Sequence, residues 1–247
     1  MIAVKNRWQA SFYHLLFSLV LSVCAAILVF QVWYPGHFAK ISGGLQMFAA
    51  LVAIDFVMGP LLTLIVFSKI KSKKEILFDV SIVIFLQMGA LVYGVWSLSS
   101  ARPAYLVYEY GQYSVVREMD LEGALAKKIP AELTRGIFSA PRYVALRPFS
   151  DSKEQYQYTM DALSGIPLAF RTELWRSYQE SQSSVLSEAK LVASAPNLLE
   201  ILIEKKIYHD GDVLYYLPLQ GVKGFWSVIL NGDAEIIDFV EWDPLGG

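Results

Sequence analysis

The chain has 247 residues, 55% of them hydrophobic, with a mean hydropathy of +0.40 and a formal net charge of −2. That balance is too apolar for an ordinary water-soluble domain and points to the membrane class. No basic block long enough to act as a nucleic-acid footprint appears, and the single cysteine, Cys24, excludes an intrachain disulfide.

The net charge hides an asymmetry. Residues 1–100 carry seven lysines and arginines against three acids, and residues 101–247 carry fourteen against twenty. Three apolar segments fill the first hundred residues, at about 11–33, 46–67 and 76–98. Each meets the ~20-residue length needed to cross a ~30 Å hydrocarbon core. The first outlasts the ~7–15-residue apolar region of a cleaved signal peptide, so it reads as a retained anchor. Within it Cys24 reads as a small buried residue. Trp33-Tyr34-Pro35-Gly36 closes the segment with interfacial aromatics and a turn. Lysines in the short loops set the orientation. Lys5 and Arg7 precede the first segment and Lys69, Lys71, Lys73 and Lys74 separate the second from the third, whereas the loop between the first two holds only Lys40. The N-terminus is therefore expected in the cytoplasm. Everything after Ser100 falls on the far side, the periplasm if this is a bacterial inner membrane.

The second segment holds the anomaly. Asp55 stands inside an apolar run, with Gly59-Pro60 one turn later. A charge at membrane depth costs at least ~2.5–3.5 kcal/mol on insertion scales, so it calls for a reason. Pro60 removes a helical hydrogen bond, which a membrane helix tolerates where neighbours re-satisfy the freed carbonyl. Antiparallel packing brings Asp55 level with Gln87 of the third segment and Ser22 of the first, and a hydrogen bond between Asp55 and Gln87 is expected. Ala49, Ala53 and Gly89 are the small residues expected to permit close approach. Asp55, Gly59, Pro60, Asp79 and Gln87 are the candidate intramembrane residues, for packing or for a client. Asp79 reads as a cytoplasmic-edge residue within reach of a lysine.

After Ser100 the pattern changes to short alternating runs. Ala104–Tyr110 and Gln112–Arg117 form two expected strands around Gly111, and Arg142–Arg147 a third. Their tyrosines, with those of the late strands, read mainly as sheet core. Asp151 with Glu154 three residues on marks a helix start, and Gly165-Ile166-Pro167 its stop. The stretch 172–188 is polar and rich in serine and glutamine, open to either a helix or a mobile connection. Pro196 opens a further helix to about Lys206. A strand at Val213–Pro218 precedes a hairpin of Phe225–Leu230 and Ala234–Trp242 around Asn231-Gly232. Arg102-Pro103 reads as the rigid link that sets the angle of this part to the membrane. The expected architecture is a membrane protein: an N-terminal three-helix transmembrane bundle, residues 1–100, followed by a C-terminal α+β extracytoplasmic domain, residues 101–247.

Motifs for chemistry are missing. His14, His37 and His209 are scattered and lack thiolate partners, so no metal site is expected. No nucleophile elbow, phosphate loop or dinucleotide fingerprint occurs, and no cofactor is expected. Two acids sharing a proton, Asp55 and Asp79, are the best enzymatic alternative. Depth argues against them: at ~1.5 Å per residue they lie about 21 and 7.5 Å from the cytoplasmic edge. The chain is read as a non-enzyme with no catalytic residues.

Several landmarks resemble the type IV pilin accessory proteins of the TfpX/TfpZ kind. They are Trp33-Tyr34-Pro35-Gly36, the run from Asp55 through Gly59-Pro60 to Thr63, Phe78-Asp79 with Gln87 and Tyr93-Gly94, and Arg102-Pro103-Ala104-Tyr105. The resemblance is close over the membrane half and looser beyond it, and 172–188 has no counterpart in it. It implies a multi-pass inner-membrane accessory factor for type IV pili, binding or chaperoning a cognate major pilin, with other pilus assembly proteins and membrane lipid as further partners. Alternatives are a membrane enzyme that processes or modifies pilin and a membrane-anchored periplasmic sensor.

Overall fold

Uninterrupted apolar sequence with few β-breaking signals satisfies its backbone most simply as helix, and most of the described residues up to Ala101 do so. A computed structural model describes residues 7–66, 73–121, 129–222 and 224–244. The chain divides into two compact units, residues 1–101 and 102–247.

In the first unit helix α1 (Arg7–Leu28) runs into a π-helical turn at Val29–Trp33. A single turn, α2 (Phe38–Ile41), leads to α3 (Gly44–Val66), and α4 (Lys73–Ala101) follows. Helix α3 packs against both α1 and α4. The connection expected to carry the lysines lies mostly outside the described residues, which exclude 67–72.

Trp33 and Tyr34 are not interfacial aromatics. Both are buried, in a cluster with Val29, Phe48 and Leu98. The Tyr34 hydroxyl donates to the Leu98 carbonyl at 2.9 Å. Leu98 lies in the last turn of α4, where carbonyls lack helical partners, so the phenol fills a vacancy that the helix itself creates. The ring lies against Gly44, where a β-carbon would stand 2.6 Å from Tyr34 Cε1. One tyrosine thereby joins the end of α1, the start of α3 and the end of α4. The close-approach role falls to Gly44, Gly59 and Gly94, because Ala49, Ala53 and Gly89 are exposed and Gly89 has open space around it. Cys24 is exposed too.

The outer faces of these helices carry large apolar side chains, among them Phe12, Phe17, Ile65, Phe85 and Trp96. Among the described residues two stretches, Ser11–Trp33 and Ser81–Ala101, are long and apolar enough to cross a bilayer, where three were expected. The apolar part of α3 among the described residues, Gly44–Val57, is shorter, and several side chains beyond it lie outside the description.

The second unit is α+β. Strands β1 (Pro103–Glu109) and β2 (Gln112–Arg117) form a hairpin whose turn residues Tyr110 and Gly111 both have positive φ, 46° and 94°. That is the backbone twist a two-residue hairpin needs. Strand β3 (Arg142–Leu146) lies parallel to β1, and β4 (Trp175–Ser177) antiparallel to β3. Next come β5 (Lys190–Leu191), β6 (Tyr215–Gln220), β7 (Phe225–Leu230) and β8 (Ile236–Val240). Sheet order is β4-β3-β1-β2-β6-β7-β8, with β5 beside one end of β6. Helix α5 (Ser152–Leu163) starts as expected: the Asp151 carboxylate accepts from Glu154 N at 2.7 Å. Helix α7 (Pro196–Glu204) has Pro196 in its first turn and buries Leu198 and Leu202.

Stretch 172–188 is structural rather than a loose connection. It contributes β4, two 3₁₀ turns and helix α6 (Gln182–Glu188), and it buries Leu174, Trp175, Tyr178 and Val185. Its Tyr178 ties the sheet together where the sheet is narrowest. Strands β2 and β6 pair only at Tyr113↔Leu219 and Ser114↔Gln220. Across that junction the Tyr178 hydroxyl donates to Ala234 O at 2.7 Å, and Tyr113 stands 2.7 Å from the same phenol oxygen. Since the Tyr178 proton is committed to the carbonyl, Tyr113 is the donor of the pair. Burial pushes the Tyr178 phenol up to about 12 and raises Tyr113 further, so both stay neutral donors.

Candidate functional site

Asp55 and Gly59 are four residues apart on α3, hence one above the other on a single face. Gly59 is buried, and the side chains of the flanking helices converge on it. A β-carbon at Gly59 would meet Gln87 Nε2 of α4 and would stand 2.8 Å from His14 Nε2 of α1. Gln87 is hydrogen-bonded to His14, and the Asp55 carboxyl is close enough to act electrostatically on the same imidazole. Three helices thus each bring a polar side chain to one place. His14, Asp55 and Gln87 are all half-buried, in a unit whose exposed side chains are largely apolar.

The geometry moves the centre of the expected site. A bond between Asp55 and Gln87 was anticipated, yet the residue that both address is His14, which the sequence reading set aside as one of three scattered histidines. The usable signal was the one applied to Asp55, an ionisable residue inside an apolar helix. With His14 beside Gly59 in an antiparallel pair, the position of α1 level with Asp55 is residue 18. Ser22 is four residues farther, about 6 Å along the axis. Asp79 stands on α4 eight residues before Gln87, about 12 Å away along the helix, and so lies outside the cluster. Pro60 continues the backbone of α3, while its side chain lies outside the described residues.

Chemically, the cluster offers an imidazole, a carboxyl and an amide at one depth. Such groups bond to one another or to a polar group on an incoming helix. No group of three or more His, Cys, Asp or Glu among the described residues is placed to hold a metal.

In the second unit Arg102 is turned inward. It is 3% exposed, and its Nη2 and Nε donate to Glu118 Oε2 at 2.9 and 3.2 Å while Nη1 bonds the Ile137 carbonyl. Arg135 Nη1 meets the same carboxylate oxygen at 2.7 Å. Pro103 is the first residue of β1 and pairs with Arg117. A cleft of about 540 Å³ lies between the β2 strand, residues 165–170 and residues 220–222, with Glu109 in its wall. Burial raises the Glu109 carboxyl, and bonds from Ser114, Gln112 and the Ala169 backbone partly offset this. The charged groups there are already engaged, Glu109 by those donors and Arg117 with Asp120 at 2.9 and 3.0 Å.

Comparison with known proteins gives one consistent description. The profile of the family described as "Fimbrial assembly protein FimB" matches residues 2–43. Two relatives from Dichelobacter nodosus, "Fimbrial assembly protein, serogroup E1" and "Fimbrial assembly protein, serogroup I", are each 29% identical over 239 residues, covering 93% of both chains. A third from the same organism, "Fimbrial assembly protein, serogroups C1 and C2", is 37% identical over 108 residues, covering 44% of this chain and 82% of the relative. No solved structure matches.

Proposed function

The chain belongs to the fimbrial assembly protein family, and from that premise we propose that it is a membrane-embedded accessory factor of type IV pilus biogenesis. Its action is binding rather than catalysis, and its client is the cognate major pilin, which it stabilises or delivers for assembly. Beyond the family, the observation that carries this reading is the inverted polarity of the first unit. Large apolar side chains face outward while His14, Asp55 and Gln87 turn towards one another. Water would oppose that arrangement, and a hydrocarbon solvent favours it. The lysine and arginine distribution supports a cytoplasmic N-terminus and a periplasmic second unit.

The test is photo-crosslinking in cells from the exposed α3 positions Ile54, Phe56 and Val57. Pilin captured with its mass unchanged, together with loss of surface pili on deletion of the protein, is the expected result. Normal piliation without the protein overturns the role in biogenesis. A change in pilin mass that one carboxylate-to-amide substitution abolishes overturns the non-enzymatic reading.

A further inference from the structure

The strongest unassigned surface lies where the second unit is attached to the chain. Arg102 is that unit's first residue, and two of its bonds run to Glu118 and one to the carbonyl of Ile137. Arg135 adds bonds to Glu118 and to Ser139 O at 2.7 Å. The turn between them closes on itself, with Gly136 N donating to Ser139 Oγ at 3.1 Å and Ser139 N to Gly136 O at 3.2 Å. Its base is rigid. Its tip is apolar and open: Ile137 is 55% exposed and Phe138 71%. Met119, directly after Glu118, is 45% exposed. Single exposed apolar residues need no explanation, but three on one ion-pair network do.

Position along the chain says what meets them. Arg102 follows Ala101, the last residue of α4 and of an apolar stretch long enough to cross a bilayer. Consecutive α-carbons lie ~3.8 Å apart whatever the angle between the two units. The headgroup region adds roughly 5–8 Å to each side of the hydrocarbon core. A turn whose carbonyl is bonded to the Arg102 guanidinium therefore stays within one side chain's reach of the point where α4 ends. Two side chains at the tip are also too few for a protein interface, which needs ~800 Å² from each partner.

We propose that the Gly136–Ser139 turn is a membrane-seating loop, with Ile137 and Phe138 entering the boundary between headgroups and acyl chains where α4 leaves the bilayer. The loop makes a second point of attachment beside the covalent one. Arg142, exposed and bonded to Thr134 O, supplies a cation at the level of the lipid phosphates.

This rests on the proposal that α4 spans a bilayer, and the experiment separates the two. With Cys24→Ser as background, Ile137→Cys and Phe138→Cys are each spin-labelled in the full chain. The protein is reconstituted in vesicles of phosphatidylethanolamine and phosphatidylglycerol. Phe85→Cys on α4 and Leu163→Cys at the end of α5, both highly exposed in the fold, serve as references. Collision with oxygen relative to a water-soluble nickel chelate is expected to be several-fold higher at 137 and 138 than at 163, approaching the value at 85. Aqueous values at 137 and 138 with a lipid value at 85 overturn the seating loop alone. Aqueous values at all four sites overturn the membrane reading and the loop with it.

Discussion

Replacing Gly59 with alanine should destabilise the first unit, against the usual direction for a helical glycine. In an unobstructed helix the change gains up to ~1 kcal/mol. Here the added carbon stands 2.8 Å from His14 Nε2 and presses on Gln87 Nε2. Comfortable heavy-atom contact begins near ~3.5 Å, so at least about 0.7 Å of separation must be found. Either a helix withdraws or both side chains swing aside and their bond breaks. Overpacking of this kind costs ~1–3 kcal/mol, and an interhelical hydrogen bond ~0.6 kcal/mol. Net of the helical gain, a loss of about 1–2 kcal/mol is expected. It is measured by titrating the full chain in mixed micelles with dodecyl sulfate and following tryptophan fluorescence. Gly59→Ala combined with Gln87→Ala should recover part of the loss, because shortening Gln87 makes the room. A Gly59→Ala protein as stable as the parent, or more stable, refutes the convergence of His14 and Gln87 on Gly59.

Two further outcomes concern the second unit. Tyr178→Phe strips the buried Ala234 carbonyl of its donor and Tyr113 of its acceptor, for a cost of about 2–4 kcal/mol in urea unfolding followed by near-ultraviolet circular dichroism. A change below about 0.5 kcal/mol would show that the junction of β2 and β6 does not depend on this relay. The Arg147 guanidinium, with the Ser150 backbone and hydroxyl, holds the Glu154 carboxyl at about 2, below its ordinary 4.5. A carboxyl depressed in the folded state stabilises above its unfolded pKa and loses that contribution as the pH falls through the folded one. Glu154→Gln should therefore flatten the acid loss of stability between about 4.5 and 2, and parallel curves for parent and variant would contradict the pairing.

What could be read from the sequence was what local chemistry decides. The turn at Gly111, the Asp151 cap of α5 and the Asn231 turn each depend on neighbours within a few residues. Asn231 Oδ1 accepts from Asp233 N and Glu235 N at 2.9 and 2.8 Å. What escaped depends on distant partners. Tyr34 looked like an interfacial aromatic because its acceptor, the Leu98 carbonyl, is 64 positions away. Stretch 172–188 stayed open between a helix and a mobile connection because Thr172, Leu174, Trp175, Tyr178, Ser181 and Val185 are buried at irregular spacing, in turns too short to set a period. Polar composition concealed that Tyr178 has partners on both sides of the junction between β2 and β6. His14 was missed because scattered positions in sequence say nothing of depth once helices run antiparallel.

The polar cluster makes more sense as a determinant of register than as a source of stability. Bonds of its kind average ~0.6 kcal/mol, well below the ~2.5–3.5 kcal/mol that one acid costs on insertion. A slip of α3 by one residue rotates it by about 100° and moves it about 1.5 Å. Such a slip would put Met58 or Pro60 where only the hydrogen of Gly59 fits between His14 and Gln87. Close packing and polar pairing are therefore satisfied together in a single alignment of α1, α3 and α4. On the proposed membrane reading, a client helix that competes for His14 or Asp55 must loosen that alignment. Binding and the internal order of the bundle then become one equilibrium, with Gly59 at its tightest point.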